Sequence, residues 1–153
     1  MYKKNTDDLE KALESTHPAD IEKFLEENAD EMSGTDKPFA RYMRQLLAEK
    51  GLQKQEVFAN AGISLGYGYK LLNEEKVTRQ RDVILRICYA AEFTVQETQR
   101  ALELYHMPKL YVREKRDAMI ISCFNERPGN VIDVNNLLLK KGFDLLRSSG
   151  AQD

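Results

Sequence analysis

Long hydrophobic runs, clustered histidines and glycine-rich loops are all missing from this 153-residue sequence, and each absence removes a class of protein. No apolar run approaches the roughly 20 residues that a membrane-crossing helix needs. The opening Met1-Tyr2-Lys3-Lys4-Asn5-Thr6-Asp7-Asp8 has no apolar stretch, so no secretory signal is expected. The two histidines, His17 and His106, lie far apart and each stands near a proline that ends a helix. No Cys/His pair has zinc-ligand spacing, and no nucleophile elbow occurs. Gly66-Tyr67-Gly68 lacks the preceding strand and the following Lys-Ser/Thr of a phosphate loop. The expectation is a protein that is not an enzyme and that holds neither metal nor cofactor.

Cysteine is scarce too. Cys88 and Cys123 each fall within an apolar helical pattern and read as buried thiols of a cytoplasmic protein, a disulfide being the alternative. The four prolines and eight glycines stand mostly between periodic segments, and long alternating β-branched runs are lacking. That combination predicts an all-α chain.

The net charge of -2 is unevenly spread. Residues 1–37 hold 5 Lys/Arg against 11 Asp/Glu, a balance of -6, whereas residues 38–153 hold 18 against 14, a balance of +4. An acidic amino-terminal arm and linker (1–37) therefore precede a mildly basic body. Within the arm, helices are expected at Asp7 to Glu14 and Ala19 to Asn28, the second with an apolar stripe of Ile21, Phe24 and Leu25, followed by a Ser33-Gly34-Thr35-Asp36-Lys37 linker. The body is expected to continue with helices over Phe39 to Lys50, Gln53 to Ala61, Leu65 to Asn73, Arg79 to Ala91, one capped by Thr94 with Glu97, Val112 to Asn125 and Val131 to Lys141.

The segment richest in information is Lys54-Gln55-Glu56-Val57-Phe58-Ala59-Asn60-Ala61-Gly62-Ile63-Ser64 with Leu65-Gly66-Tyr67-Gly68-Tyr69-Lys70-Leu71-Leu72. Val57, Phe58 and Ala61 share one helical face, Gly62 permits a sharp turn, Ile63 is a buried plug, and Ser64 is placed to cap a second helix. Together with Arg81-Asp82, Glu97-Thr98-Gln99-Arg100, Leu110-Tyr111, Arg116-Asp117-Ala118 and Val134-Asn135, it resembles the phage-repressor-like (lambda Cro-type, XRE) helix-turn-helix regulators, in particular bacterial ones with extra carboxy-terminal helices.

The resemblance implies a five-helix lambda-repressor-like DNA-binding domain over 38–107 and a helical extension over 108–153. It further implies a cytoplasmic homodimer regulating transcription at a palindromic operator in double-stranded DNA. By position, Lys54, beside Gln53 at the start of the first motif helix, matches a phosphate-holding residue. Ser64 opens the second helix, and Leu65, Gly66 and Lys70, with Tyr69 beside them, match the base-facing positions. Base-reading side chains are usually Gln, Asn, Arg, Ser or Thr, so Leu65 and Gly66 depart from the pattern. Phosphate and shape readout are therefore expected to dominate, anchored by Lys54, Lys70, Lys76, Arg79 and Arg81. The alternative is an adaptor that keeps the helix-turn-helix scaffold and binds another protein, through the amino-terminal arm or the carboxy-terminal helices. Arg116-Asp117 is expected to form a structural ion pair or cap, and Asn135 to be a buried amide that fixes the last two helices.

Overall fold

Every regular element among the described residues, 6–28 and 37–148 of the computed structural model, is helical. No helix among them is long and apolar enough to cross a membrane. The chain divides into two units, Met1–Lys37 and Pro38–Asp153. The expected linker residues Ser33 to Asp36 lie outside the described residues.

In the first unit, α1 (Thr6–Glu14) is closed by the Thr16 hydroxyl, which donates to the Ala12 carbonyl at 2.7 Å. A 3-10 turn, Pro18–Asp20, takes the place of the first turn expected for the second helix, and α2 follows over Ile21–Glu27. Of the anticipated stripe only Phe24 is buried, while Ile21 and Leu25 stay exposed. Phe24 shares its burial with Asn28, whose side-chain amide donates to the Phe24 carbonyl at 2.9 Å.

The second unit is built from α3 (Pro38–Glu49), α4 (Lys54–Ala61), α5 (Leu65–Leu72), α6 (Arg81–Ala90), α7 (Val95–Leu104), α8 (Lys115–Glu126) and α9 (Val131–Lys140). Pro38 occupies the first turn of α3, where its missing N–H costs nothing. The Glu74 carboxylate accepts from the Ala40 N–H in that turn. Phe39, Met43, Leu46 and Leu47 recur at helical spacing and turn inward. They join Val57, Phe58, Leu71, Leu72, Ile84, Ile87, Phe93, Leu102, Ile120, Phe124 and Leu138 in one apolar cluster that runs from α3 to α9. Helix α6 is the central member, packing on α4, α7 and α9, and α8 packs on α7 and α9.

Local signals explain most boundaries. Thr94 and Glu97 form the expected capping box at the start of α7, and Asn130 with Asp133 forms another at α9. Helix α8 begins three residues later than the apolar pattern suggests, because the Glu114 carboxylate accepts from the Arg116 and Asp117 N–H groups and sets the start there. Glu74, Glu92 and His106 close helices in the left-handed conformation, at φ 58, 61 and 60, without being glycine. Both cysteines are free and buried, and burial pushes the Cys88 thiol well above its ordinary value.

The amino-terminal ends of α6 and α8 are joined by an exchange of charges. Arg81 donates to both carboxylate oxygens of Asp117, at 3.1 and 2.5 Å, and Arg116 to both of Asp82, at 3.2 and 3.0 Å. Each Arg-Asp dipeptide thus pairs with the other rather than with itself. The sequence suggested an ion pair or cap for Arg116-Asp117, and it is both partners of this crossed arrangement. Asn135 is half-buried, and its carbonyl oxygen accepts from the Leu146 N–H at 2.8 Å, tying α9 to the segment after it.

Candidate nucleic-acid interface

Helix α4 turns Val57, Phe58 and Ala61 into the core and ends on Gly62, whose φ of 71 and ψ of 33 require the left-handed region. The Gly62 and Ile63 N–H groups return to the Ala59 and Phe58 carbonyls, at 3.2 and 3.0 Å. Ile63 is buried, and Ser64 is extended at φ -62 and ψ 147 before α5 begins. Two helices are therefore linked by three residues, one buried as a plug.

Helix α5 has two distinct faces. Gly68, Leu71 and Leu72 are buried. Gly68 is needed because a Cβ there would stand 2.6 Å from the Phe58 ring, so α4 and α5 approach closely. Around Gly66 there is open space. Ser64, Leu65, Gly66 and Lys70 face outward, with Leu65 48% exposed. Ser64 holds the cap position by its backbone alone and makes no side-chain cap bond, unlike the role expected of it. Gln53 likewise stands exposed at the cap position of α4 without a side-chain cap bond.

Two ammonium groups flank this face. The Lys54 Nζ lies 5.9 Å from the centre of the Tyr69 ring, which meets the Phe58 ring edge-on at 5.2 Å. The Lys76 Nζ lies 5.0 Å above the Tyr67 ring. Each cation–π contact contributes about 0.5–1 kcal/mol at a wet site, enough to bias a flexible lysine toward one direction. Arg79 is exposed on the loop before α6. Glu56, Glu74 and Glu75 bring negative charge to the same stretch, and Glu74 is engaged with the first turn of α3.

Arg81 requires a correction. Its guanidinium is taken up by Asp117, the side chains being only 23% and 4% exposed. Its charge is neutralised inside the protein, so its part is to hold α6 to α8 rather than to anchor a phosphate. Of the expected cations, Lys54, Lys70, Lys76 and Arg79 remain outward or at the edge.

Sequence reasoning passed over Arg86. It is the one charged side chain between Val83 and Cys88, inside an otherwise apolar run of α6, and that interruption was the available signal. Its Nε donates to the Ala61 carbonyl at 2.7 Å and an Nη to the Leu146 carbonyl at 2.8 Å. Burial lowers its proton affinity below the usual arginine value, and Asp82 opposes that. No family model, curated protein or solved structure matches the chain.

Proposed function

We propose that this protein is a cytoplasmic DNA-binding transcriptional regulator in which α3 to α7 form a lambda-repressor-like domain and α5 enters the major groove. The observation that carries this reading is the two-faced α5: locked on α4 through Gly68 and Phe58, yet open along Ser64, Leu65, Gly66 and Lys70. A helix presented from a tight turn in this way can lie along a groove with its amino-terminal end toward the bases. Lys54 and Lys76, held over Tyr69 and Tyr67, would bind phosphates on either side, with Lys70 and Arg79 adding charge. Leu65 would meet a thymine methyl, the contact available to an apolar side chain. A homodimer on a palindromic operator follows from the same family resemblance.

The second reading is the protein-binding adaptor, favoured by the exposed Leu65 and by the lack of a hydrogen-bonding side chain at Gly66. Selection of duplexes from a random pool, followed by a salt series, separates the two. Four phosphate contacts imply that affinity falls roughly a hundredfold between 50 and 200 mM salt, and Lys70→Glu or Lys76→Glu should each flatten the log–log slope by about one. No enrichment and no binding at low salt would favour the adaptor.

A further inference from the structure

Beyond α9 the chain leaves the helical register at Gly142 and runs without regular structure through Phe143 to Arg147. The backbone of this strap is gripped by side chains from three helices. Arg116 of α8 donates to the Asp144 and Leu145 carbonyls, at 3.0 and 3.1 Å. Asn135 of α9 accepts from the Leu146 N–H, and Asp82 of α6 accepts from the Arg147 N–H at 3.2 Å. The Leu146 side chain is buried in the common core while its neighbours are exposed.

Arg86 is the grip that reaches on to the α4–α5 turn. One side of its guanidinium takes the Leu146 carbonyl and another takes the Ala61 carbonyl, at the last turn of α4. A second Nη lies so close to Gly62 that a Cβ there would stand 2.5 Å from it. One rigid planar group therefore spans the strap and the turn that launches α5.

We propose that the Phe143–Arg147 strap is an intramolecular brace for the α4–α5 turn, and that Arg86 is the positioning residue through which it acts. This deepens the DNA-binding reading and rests on it for its functional consequence. With the strap seated, the guanidinium is fixed from one side and holds the Ala61 carbonyl from the other, with an Nη close against Gly62. With the strap released, Arg86 loses that fixed point and the direction of α5 loosens, although no strap residue belongs to the outward face of α5. A partner that draws the strap away would weaken DNA binding by this route, a coupling carried by contiguous hydrogen bonds.

The test uses the full chain with Leu146→Ala, Arg86→Met, their double variant, Arg86→Lys, and Leu102→Val as a core variant remote from the strap. Two quantities are read under conditions where every variant is folded: hydrogen exchange at the Gly62 and Ile63 amides, and affinity for a fluorescent duplex from the selected pool. Leu146→Ala and Arg86→Met should each speed exchange at those two amides and weaken the duplex about tenfold, within the usual range of site-to-site coupling. The double variant should lose scarcely more than either single one, because both act through one guanidinium. Leu102→Val should lower thermal stability without a selective effect at the turn. Arg86→Lys, which reaches only one of the two carbonyls, should fall between wild type and Arg86→Met, and it supplies the comparison if Arg86→Met does not fold. Unchanged protection at Gly62 and Ile63 in Leu146→Ala, or additive losses, would overturn the brace. Altered protection with no wild-type duplex binding at low salt would keep the brace and remove the DNA reading.

Discussion

Gly66 and Gly68 lie two residues apart in one helix, and the same substitution at each should move stability in opposite directions. In a helix interior, alanine is favoured over glycine by about 1 kcal/mol. Gly66 stands in the first turn of α5 with nothing within 4 Å of an added Cβ, so Gly66→Ala should gain part of that amount. At Gly68 the Cβ would meet three Phe58 ring atoms at 2.6, 2.7 and 2.7 Å. Carbon atoms rest at about 3.5–4.0 Å, so the ring or the helix must retreat by about 1 Å. Phe58 has no room to do so, being fully buried with its ring against Tyr69. Overpacking of this kind costs about 1–3 kcal/mol, which outweighs the propensity gain. The propensity gain is common to both, so the two variants should differ by about 1–3 kcal/mol, or roughly 3–10 °C in Tm for a chain of this length. Thermal and urea melts followed by circular dichroism measure the difference. A Phe58→Leu change made on Gly68→Ala should recover part of the loss by vacating the contact, giving a favourable coupling in the double-mutant cycle. If both alanine variants stabilise equally, the close approach of α4 and α5 is wrong, and with it the placement of α5.

The buried Arg81–Asp117 pair should appear in the acid limb of stability. Burial pushes the Asp117 carboxyl upward, but hydrogen bonds from Arg81 and the Tyr111 N–H, with the charge of Arg81, outweigh it and hold the carboxyl below its ordinary value. A depressed folded-state value contributes stability that is present above the unfolded value of about 3.9 and is lost as the pH falls through the folded one. Melting temperature should thus drop below about pH 4, and Asp117→Asn should be less stable at neutral pH with a shallower acid slope; equal slopes would refute the assignment. Glu92 closes α6 at φ 61 on an exposed site, so Glu92→Gly should raise stability by about 0.5–1 kcal/mol in a urea melt, and a loss would mean that its side chain has a stabilising role.

Features written in local chemistry were legible in the sequence. Gly62-Ile63-Ser64 announced the turn, the Thr94 and Glu97 pair announced the start of α7, and the spacing of Phe39, Met43, Leu46 and Leu47 announced the inner face of α3. Features made by long-range pairing were not. Arg81 reads as a loop cation until α8 brings Asp117 to it, 36 residues on. The strap has no hydrophobic period because its order comes from side chains reaching its backbone, and periodicity cannot register that. Helix ends at Glu74, Glu92 and His106 lack the glycine that usually marks them, so their turns follow from tertiary fit rather than from residue type. Gly68 has no local reason within its own helix, and its reason emerges only with Phe58 facing it.

The crossed pairs between Arg81-Asp82 and Arg116-Asp117 bear on how the body can be dissected. A fragment stopping at Met107 would retain one cation and one anion at the head of α6, each stripped of a counter-ion supplied by α8. Cutting there also takes Ile120, Phe124, Val134 and Leu138 out of the shared apolar cluster, so the side chains of α6 and α7 that meet α8 and α9 would face water. Helices α3 to α7 thus share their core and their charges with the residues after Met107, and melting of Pro38–Asp153 should proceed in one concerted step rather than by successive peeling.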